Sequence, residues 1–183
     1  MNVALLLVDI QNDYFPCGRM ELSGSLEVSQ KAAQVLSLFR ERSLPLIHIQ
    51  HIAARPDAPF FISGTAGVEI HENVNPLSGE PVIKKQFPNS FRETPLLEQL
   101  RSKKIDQLAI AGMMTHMCID ATTRAAFDHG FQCTVLHDAC ATRSLIFNDE
   151  IISARQVHAA FLAALSAAYA KVVSTDEFIA SLG

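Results

Sequence analysis

The sequence predicts an α/β fold in which a mostly parallel sheet is covered by helices on both faces. Strand-length apolar runs alternate with segments of helical period along the whole chain. Several of those runs are apolar throughout rather than alternating, as expected of strands buried on both faces. No internal repeat or low-complexity linker interrupts them, and 183 residues suit one domain over 1–183.

Val3-Ala-Leu-Leu-Leu-Val8 is the first such run. Ser25 to Arg42 follows, with Val28, Ala32, Val35, Leu36 and Phe39 at helical spacing, a stripe suited to packing on a sheet. Leu46 to Gln50 reads as a second strand, Val82-Ile83 opens a short third, and Leu96 to Lys103 is helix-like. Leu108 to Ala111 is the fourth strand. Met117 to His129 reads as a helix stopped by Gly130, a residue suited to a C-terminal cap. Cys133 to His137 is the fifth strand, Ile152 to Ala168 a long helix with Val157, Phe161 and Leu165 inward, and Lys171 to Ser174 a sixth strand. His51 to Pro81, rich in Pro, Gly and Asn, is too long for a plain connection and is expected to form a lid or carry short helices.

Apolar residues make up 49% and charged residues 19%, which fits a compact globule. The net charge of −4 provides no basic field for a polyanion, so nucleic acid is excluded as a partner. Val3 to Val8 is too short for a signal-peptide core, and Ala159 to Ala170 too short for a bilayer span, so no membrane partner is expected. Four cysteines, at 17, 118, 133 and 140, form no CxxC pair, which predicts a reduced, cytoplasmic protein.

Ligands of open parallel sheets bind beyond the carboxyl ends of the strands, where the strand order reverses. The polar residues there are Asp9, Gln50 and His51, Lys84 or Lys85, the segment Gly112 to Cys118, and His137 with Asp138. A strand order of 3-2-1-4-5-6 makes strands one and four neighbours and sets Asp9 beside Cys118. Cys118 stands at a helix start, where unpaired N–H groups favour a thiolate. A small buried hydrophobe would occupy the same position, and position alone leaves both readings open. Asp9 reads either as a turn acceptor or as a general base for a nearby thiol. A lysine would balance that pair, though either lysine alone reads as solvated. Seven histidines invite a metal, but none has HxxxH spacing on a helix, and none is assigned one. P-loop, GxGxxG and GxSxG motifs are absent. Asp120 and Arg124, four apart, read as an ion pair.

Four segments, taken together and in order, resemble the isochorismatase-like cysteine hydrolase superfamily, which includes nicotinamidases and N-carbamoylsarcosine amidases. They are Leu7-Val-Asp9-Ile-Gln11-Asn12-Asp13-Tyr14-Phe15, Gly64-Thr-Ala-Gly67-Val-Glu69-Ile70, Lys85-Gln-Phe-Pro-Asn-Ser90-Phe91 and Gly112-Met-Met-Thr115-His-Met-Cys118-Ile119. Asp138-Ala139 resembles the turn after the fifth strand. The resemblance implies a three-layer α/β/α sandwich, selects Lys85 over Lys84, and makes Asp9, Lys85 and Cys118 the catalytic set. It also implies a cis peptide between Met113 and Met114, with the N–H groups of Met114 and Cys118 as oxyanion hole. Hydrolysis then runs through a Cys118 thioester with no cofactor.

Departures from the pattern narrow the substrate. Nicotinamidases of this superfamily place an Asp-x-His metal site after strand two, where this chain has His51-Ile-Ala53. The expected activity is C–N cleavage of a small amide, ureide or carbamoyl compound. The alternatives are vinyl-ether hydrolysis with Asp9 as general acid, and a non-catalytic binding protein on the same fold. Phe15, His51, Phe91, Met113, Thr115 and His116 are the expected pocket residues, roofed by the loop from Ile52 to Gly79. By the same resemblance the chain is a homo-oligomer, a dimer or tetramer, acting on a small molecule.

Overall fold

The computed structural model describes residues 2–55 and 57–183. Its main sheet has six strands: β1 (Val3–Val8), β2 (Leu46–His51), β3 (Val82–Lys85), β4 (Gln107–Met113), β5 (Gln132–Ala141) and β8 (Ala170–Val173). They lie in the order β3-β2-β1-β4-β5-β8, all parallel. This is the predicted order, with β8 in sixth place. All six residues of β1 are buried, because the strand is central and covered on both faces.

Period-two alternation divides β1 between two cores. Val3, Leu5 and Leu7 face α1 (Ser25–Glu41) and α5 (Thr175–Ser181), where Phe39 stacks on Phe178. Ala4, Leu6 and Val8 face the opposite layer of α2 (Leu96–Ser102), α3 (Asp120–Asp128) and α4 (Ala154–Ala168), and pack with Leu96, Leu100, Ala126, Leu162 and Leu165. The result is an α/β/α sandwich. Among the described residues no helix is long and apolar enough to cross a membrane.

Neighbours β1 and β4 diverge at the switch point, with Val8 opposite Gly112. A Cβ on Gly112 would lie 1.9 Å from the Val8 carbonyl oxygen, and its φ of 134° suits only glycine, so the two strands meet there through bare backbone. Asp9 therefore leaves β1 beside the segment that carries Cys118.

Elsewhere the structure departs from the sequence reading. The segment expected as one helix from Met117 is a π-helical turn, Thr115–Ile119, followed by α3, so Cys118 lies within a wide turn rather than at a regular helix start. Asp120 and Arg124 form the expected ion pair at 2.9 Å. β5 continues past His137 to Ala141, with a register shift opposite Ile110 and Gly112. His137 and Asp138 thus lie inside the strand's irregular stretch and not at its end. There Asp138 accepts bonds from the Thr175 N–H and hydroxyl, both 2.7 Å, and fixes the start of α5. An antiparallel hairpin, β6 (Leu145–Phe147) and β7 (Glu150–Ile152), occupies the approach to α4. The helix expected from Ile152 starts at Ala154 behind a Ser153–Gln156 capping box. The long loop carries two short 3-10 turns, Ala66–Val68 and Glu72–Val74.

Candidate active site

Strand ends assemble the site. Asp9 follows β1 with a φ of 53°, an uncommon backbone for a residue with a side chain. Lys85 closes β3, and its neighbour Ile83 sets the phase: residues 83 and 85 point inward while 82 and 84 are exposed. Cys118 comes from the π turn after β4. The side chains of Asp9 and Lys85 are both wholly buried, and Lys85 Nζ lies 2.7 Å from Asp9 Oδ2.

Lys85 Nζ also donates to Cys118 Sγ at 3.2 Å, to the Phe87 carbonyl at 3.1 Å, and meets His51 Nδ1 at 3.0 Å. Both Asp9 oxygens are buried outside hydrogen-bond geometry among the described residues, but Oδ2 faces the ammonium as its ion-pair partner and Oδ1 has no partner of either kind. One carboxylate oxygen is thus committed to the lysine, and the other can accept a proton.

Burial pushes the Cys118 thiol well above the ordinary thiol range, the Asp9 carboxylate adds to that, and Lys85 opposes it. Burial also works against the charge on Lys85, but Asp9 and Cys118 more than offset it and hold the ammonium protonated. His51 is lowered by burial first and then by Lys85, so at neutral pH its imidazole is uncharged and Nδ1 accepts from the ammonium. At rest the site contains an ion pair, a neutral imidazole and a thiol. Donor atoms of Asp9, His51 and Cys118 all lie within 4.8 Å of one another, a grouping that could suit a metal. Lys85 Nζ bonds to all three, so the cation of this cluster is the ammonium and the set does not fit a metal ion.

Cys118 alone among the four cysteines is hydrogen-bonded to a charged side chain. Cys17 is exposed, while burial pushes Cys133 and Cys140 up to about 12. The Met113–Met114 peptide is cis, and both residues are buried.

The expected pocket residues divide differently. His51 touches Lys85. Phe15 is stacked on His71 with centroids 3.5 Å apart, and Phe91 packs on Phe131 and His129 in the second core. Thr115 turns away to the Ala141 carbonyl and His158, and His116 pairs with Thr142 and rests on Phe161. Packing has therefore taken up Phe91, Thr115 and His116, and Phe15 with Met113 belongs to the first core. A cavity of about 380 Å³ does reach Lys85, lined by Ile52, Ser63, Gln86, Phe87, Arg92 and Glu93.

Two contributors escaped the sequence reading as side chains. Gln11 accepts from the His51 N–H at 2.8 Å and donates to the His51 and Val68 carbonyls at 2.9 and 2.7 Å, tying the ends of β1 and β2 to the loop. Tyr14 is buried against Phe61, and burial, followed by its nearness to Cys118 and Asp9, raises its phenol well above its usual value. Both lie in the stretch after Asp9, where polar residues following an apolar strand were the available signal. Asp13 of the same stretch accepts from the Phe61 N–H at 2.6 Å, and a Cβ on Gly67 would lie 2.0 Å from that carboxylate. Only a bare glycine leaves room for it.

Comparison with known proteins shows the family. Residues 3–177 match the Isochorismatase domain. The isochorismatase family protein YddQ of Bacillus subtilis (strain 168) is 50% identical over 179 residues, 98% of this chain and 99% of that protein. A crystal structure of an isochorismatase hydrolase from Oleispira antarctica is 48% identical with a TM-score of 0.94, covering 98% of this chain and 96% of the other. Nicotinamidase 3 of Arabidopsis thaliana is 26% identical over 191 residues, 98% of this chain and 88% of its own length.

Proposed function

This chain belongs to the isochorismatase family, whose members include hydrolases and amidases among them, and within it we propose a cysteine hydrolase that cleaves a C–N bond of a small amide, ureide or carbamoyl compound. The observation that carries the reading is the contact of Lys85 Nζ with Asp9 at 2.7 Å and Cys118 at 3.2 Å, with the Asp9 and Lys85 side chains wholly buried. The relative named a nicotinamidase supports an amide as the target.

Asp9 Oδ1 takes the Cys118 proton as sulfur attacks the carbonyl carbon. Because burial raises the thiol, the thiolate forms during attack and does not persist at rest. Lys85 stays charged and stabilises the sulfur while proton and negative charge change places. The carbonyl oxygen becomes an oxyanion held by the N–H groups of Met114 and Cys118. Asp9 returns its proton to the leaving nitrogen, the C–N bond breaks, and ammonia or an amine departs. Water, deprotonated by Asp9, then cleaves the thioester, regenerates the thiol and leaves a carboxylic or carbamic acid.

The test is ammonia release from a panel of primary amides and ureides, with Cys118→Ala and Asp9→Asn alongside and intact-mass analysis of quenched turnover. The expected result is release by the parent protein, an acyl adduct on Cys118, and loss of both in the variants. Turnover that survives Cys118→Ala would overturn the thioester route and leave general-acid chemistry by Asp9. Absence of turnover across the panel, with no adduct, would favour a binding protein.

A further inference from the structure

Taking Cys118 as the nucleophile proposed above, we infer that His158, on α4, is a positioning residue of the turn that carries it, holding Thr115 and through it the N–H groups of Met114 and Cys118. The turn from Thr115 to Ile119 is π-helical, a wide form that occurs as single turns and often at functional sites. The Met114 carbonyl before it accepts from the Met117 and Ile119 N–H groups at 3.0 and 3.2 Å and passes over that of Cys118 between them. Such a turn is not a regular helical ladder, so its shape depends on what grips it from outside. Two elements do so, the end of β5 and the helix α4. Thr115 Oγ1 donates to the Ala141 carbonyl at 3.2 Å and meets His158 Nδ1 at 2.9 Å. His116, the next residue, pairs with Thr142 and sets its ring edge-on to Phe161, with centroids 5.9 Å apart. His158 and Phe161 are three apart on α4, so consecutive residues of the turn meet one face of that helix.

Proton counting gives the direction of the key bond. A hydroxyl has one proton to give, and Thr115 gives its own to Ala141. The bond with His158 therefore runs from Nδ1–H to the Thr115 oxygen. Burial, and after it His137, lower the affinity of His158 for a second proton, so the ring is neutral at pH 7 and carries its one hydrogen at Nδ1. Thr115 is wholly buried, so an oxygen that lost this donor could not turn to bulk water instead. The irregular stretch of β5 serves the same end. Past the register shift Gly112 pairs with Cys140 and Met113 with Ala141, which carries the Ala141 carbonyl and Thr142 to the turn. Among the described residues no hydrogen bond joins His158 to Asp9, Lys85 or Cys118, so it acts through Thr115. Release of Thr115 frees the turn between Met114 and Cys118, and a displacement of about 1 Å at reacting groups can cost on the order of 100-fold in rate.

The experiment joins amide hydrogen exchange of the whole chain, read by mass spectrometry over 113–119, to steady-state kinetics on an amide that the parent protein turns over. It compares the parent with His158→Leu, His158→Asn, His158→Gln, Thr115→Val and Thr115→Val/His158→Leu. Asparagine sets an N–H where Nδ1 stands, whereas glutamine reaches the place of Nε2 and leaves that point empty. Circular dichroism confirms that each variant is folded, and the contrast of asparagine with glutamine stands even where leucine does not fold. Exchange over 113–119 should speed at least about ten-fold in the leucine, glutamine and valine variants while Val3–Val8 keeps the parent rate, a pattern that general destabilisation does not give. In the same variants kcat should fall at least about ten-fold with KM within about three-fold, and His158→Asn should stay within about three-fold of the parent. The double variant should be no slower than the slower single, as expected of two partners in one bond. Unchanged exchange over 113–119 in His158→Leu, asparagine no better than glutamine, or a double variant slowed by the product of the single losses would each overturn the role of His158. A parent protein that turns over no amide counts against C–N hydrolysis instead, and exchange alone then decides whether His158 holds the turn.

Discussion

His51 Nδ1 stands 3.0 Å from Lys85 Nζ, so a neutral imidazole supplies one of the four acceptors around the ammonium. Replacing it with leucine leaves Asp9, Phe87 and Cys118 for the three N–H groups and removes one bond to a charged donor, at a cost of about 1.5–3 kcal/mol, and kcat/KM is expected to fall roughly 10- to 100-fold. His51→Gln keeps an acceptor and should lose less. The sign of the pH effect follows from the lowered proton affinity of His51: the ring is neutral at pH 7 and gains a proton only well on the acid side, where a second cation beside Lys85 weakens the set. The acid limb of the rate profile should therefore flatten in His51→Gln, as rates measured between pH 4 and 8 will show.

The Asp9–Lys85 pair is wholly buried, so removing one partner strands the other's charge. Asp9→Leu and Lys85→Met are each expected to cost about 3–5 kcal/mol in denaturant unfolding, and the double variant should recover most of that loss while remaining inactive. A double variant as unstable as the sum of the singles would refute the coupling.

Reactivity of the thiols should run opposite to their importance. Cys17 is exposed, whereas Cys118 is buried and its thiol raised. At pH 7 iodoacetamide should label Cys17 at least ~100-fold faster than Cys118 by peptide mapping, because only the thiolate reacts. An acylating substrate analogue should reverse that preference.

Acid should unfold the protein early. His48, His51, His71, His116 and His158 are all held below the ordinary histidine value, chiefly by burial. The unfolded chain takes up protons at these positions below about pH 6.5 and the folded chain resists, so stability is complete above that pH and lost as pH falls through their folded values. Glu80, bound by Arg40 and lowered to about 2, gives up its share between 4.5 and about 2. Melting temperature should hold between pH 7 and 8 and fall steadily from pH 6.5 to 4. A flat profile over that range would contradict the buried neutral histidines.

Much of this was legible in the sequence for reasons that the structure now supplies. Six consecutive apolar residues marked β1 because a central strand faces apolar layers on both sides. The strand order then brought together Asp9, Lys85 and Cys118, which lie far apart in the chain. Residue patterning could not choose between Lys84 and Lys85, yet the choice was present in the phase of β3: Ile83 faces inward, so residue 85 does too. The hairpin was missed because its two-residue turn, Asn148-Asp149, lacks glycine and its strands have three residues each. Among the expected pocket residues, periodicity shows that Phe91 is apolar and says nothing of the side chains it packs on, here Phe131 and His129.

The ties made by Gln11 and Asp13 also govern traffic. Gln11 joins His51 to Val68, and Asp13 holds Phe61, so lifting the loop on that side would pull apart the end of β2 and disturb Lys85's imidazole partner. Across the site the gatepost is lighter: Arg92 lies over the Phe87 ring at 3.6 Å and pairs with Glu93 at 3.5 Å, two exposed contacts beside the cavity that reaches Lys85. The cavity that reaches Lys85 therefore lies beside contacts whose loss disturbs none of the ties made by Gln11 and Asp13.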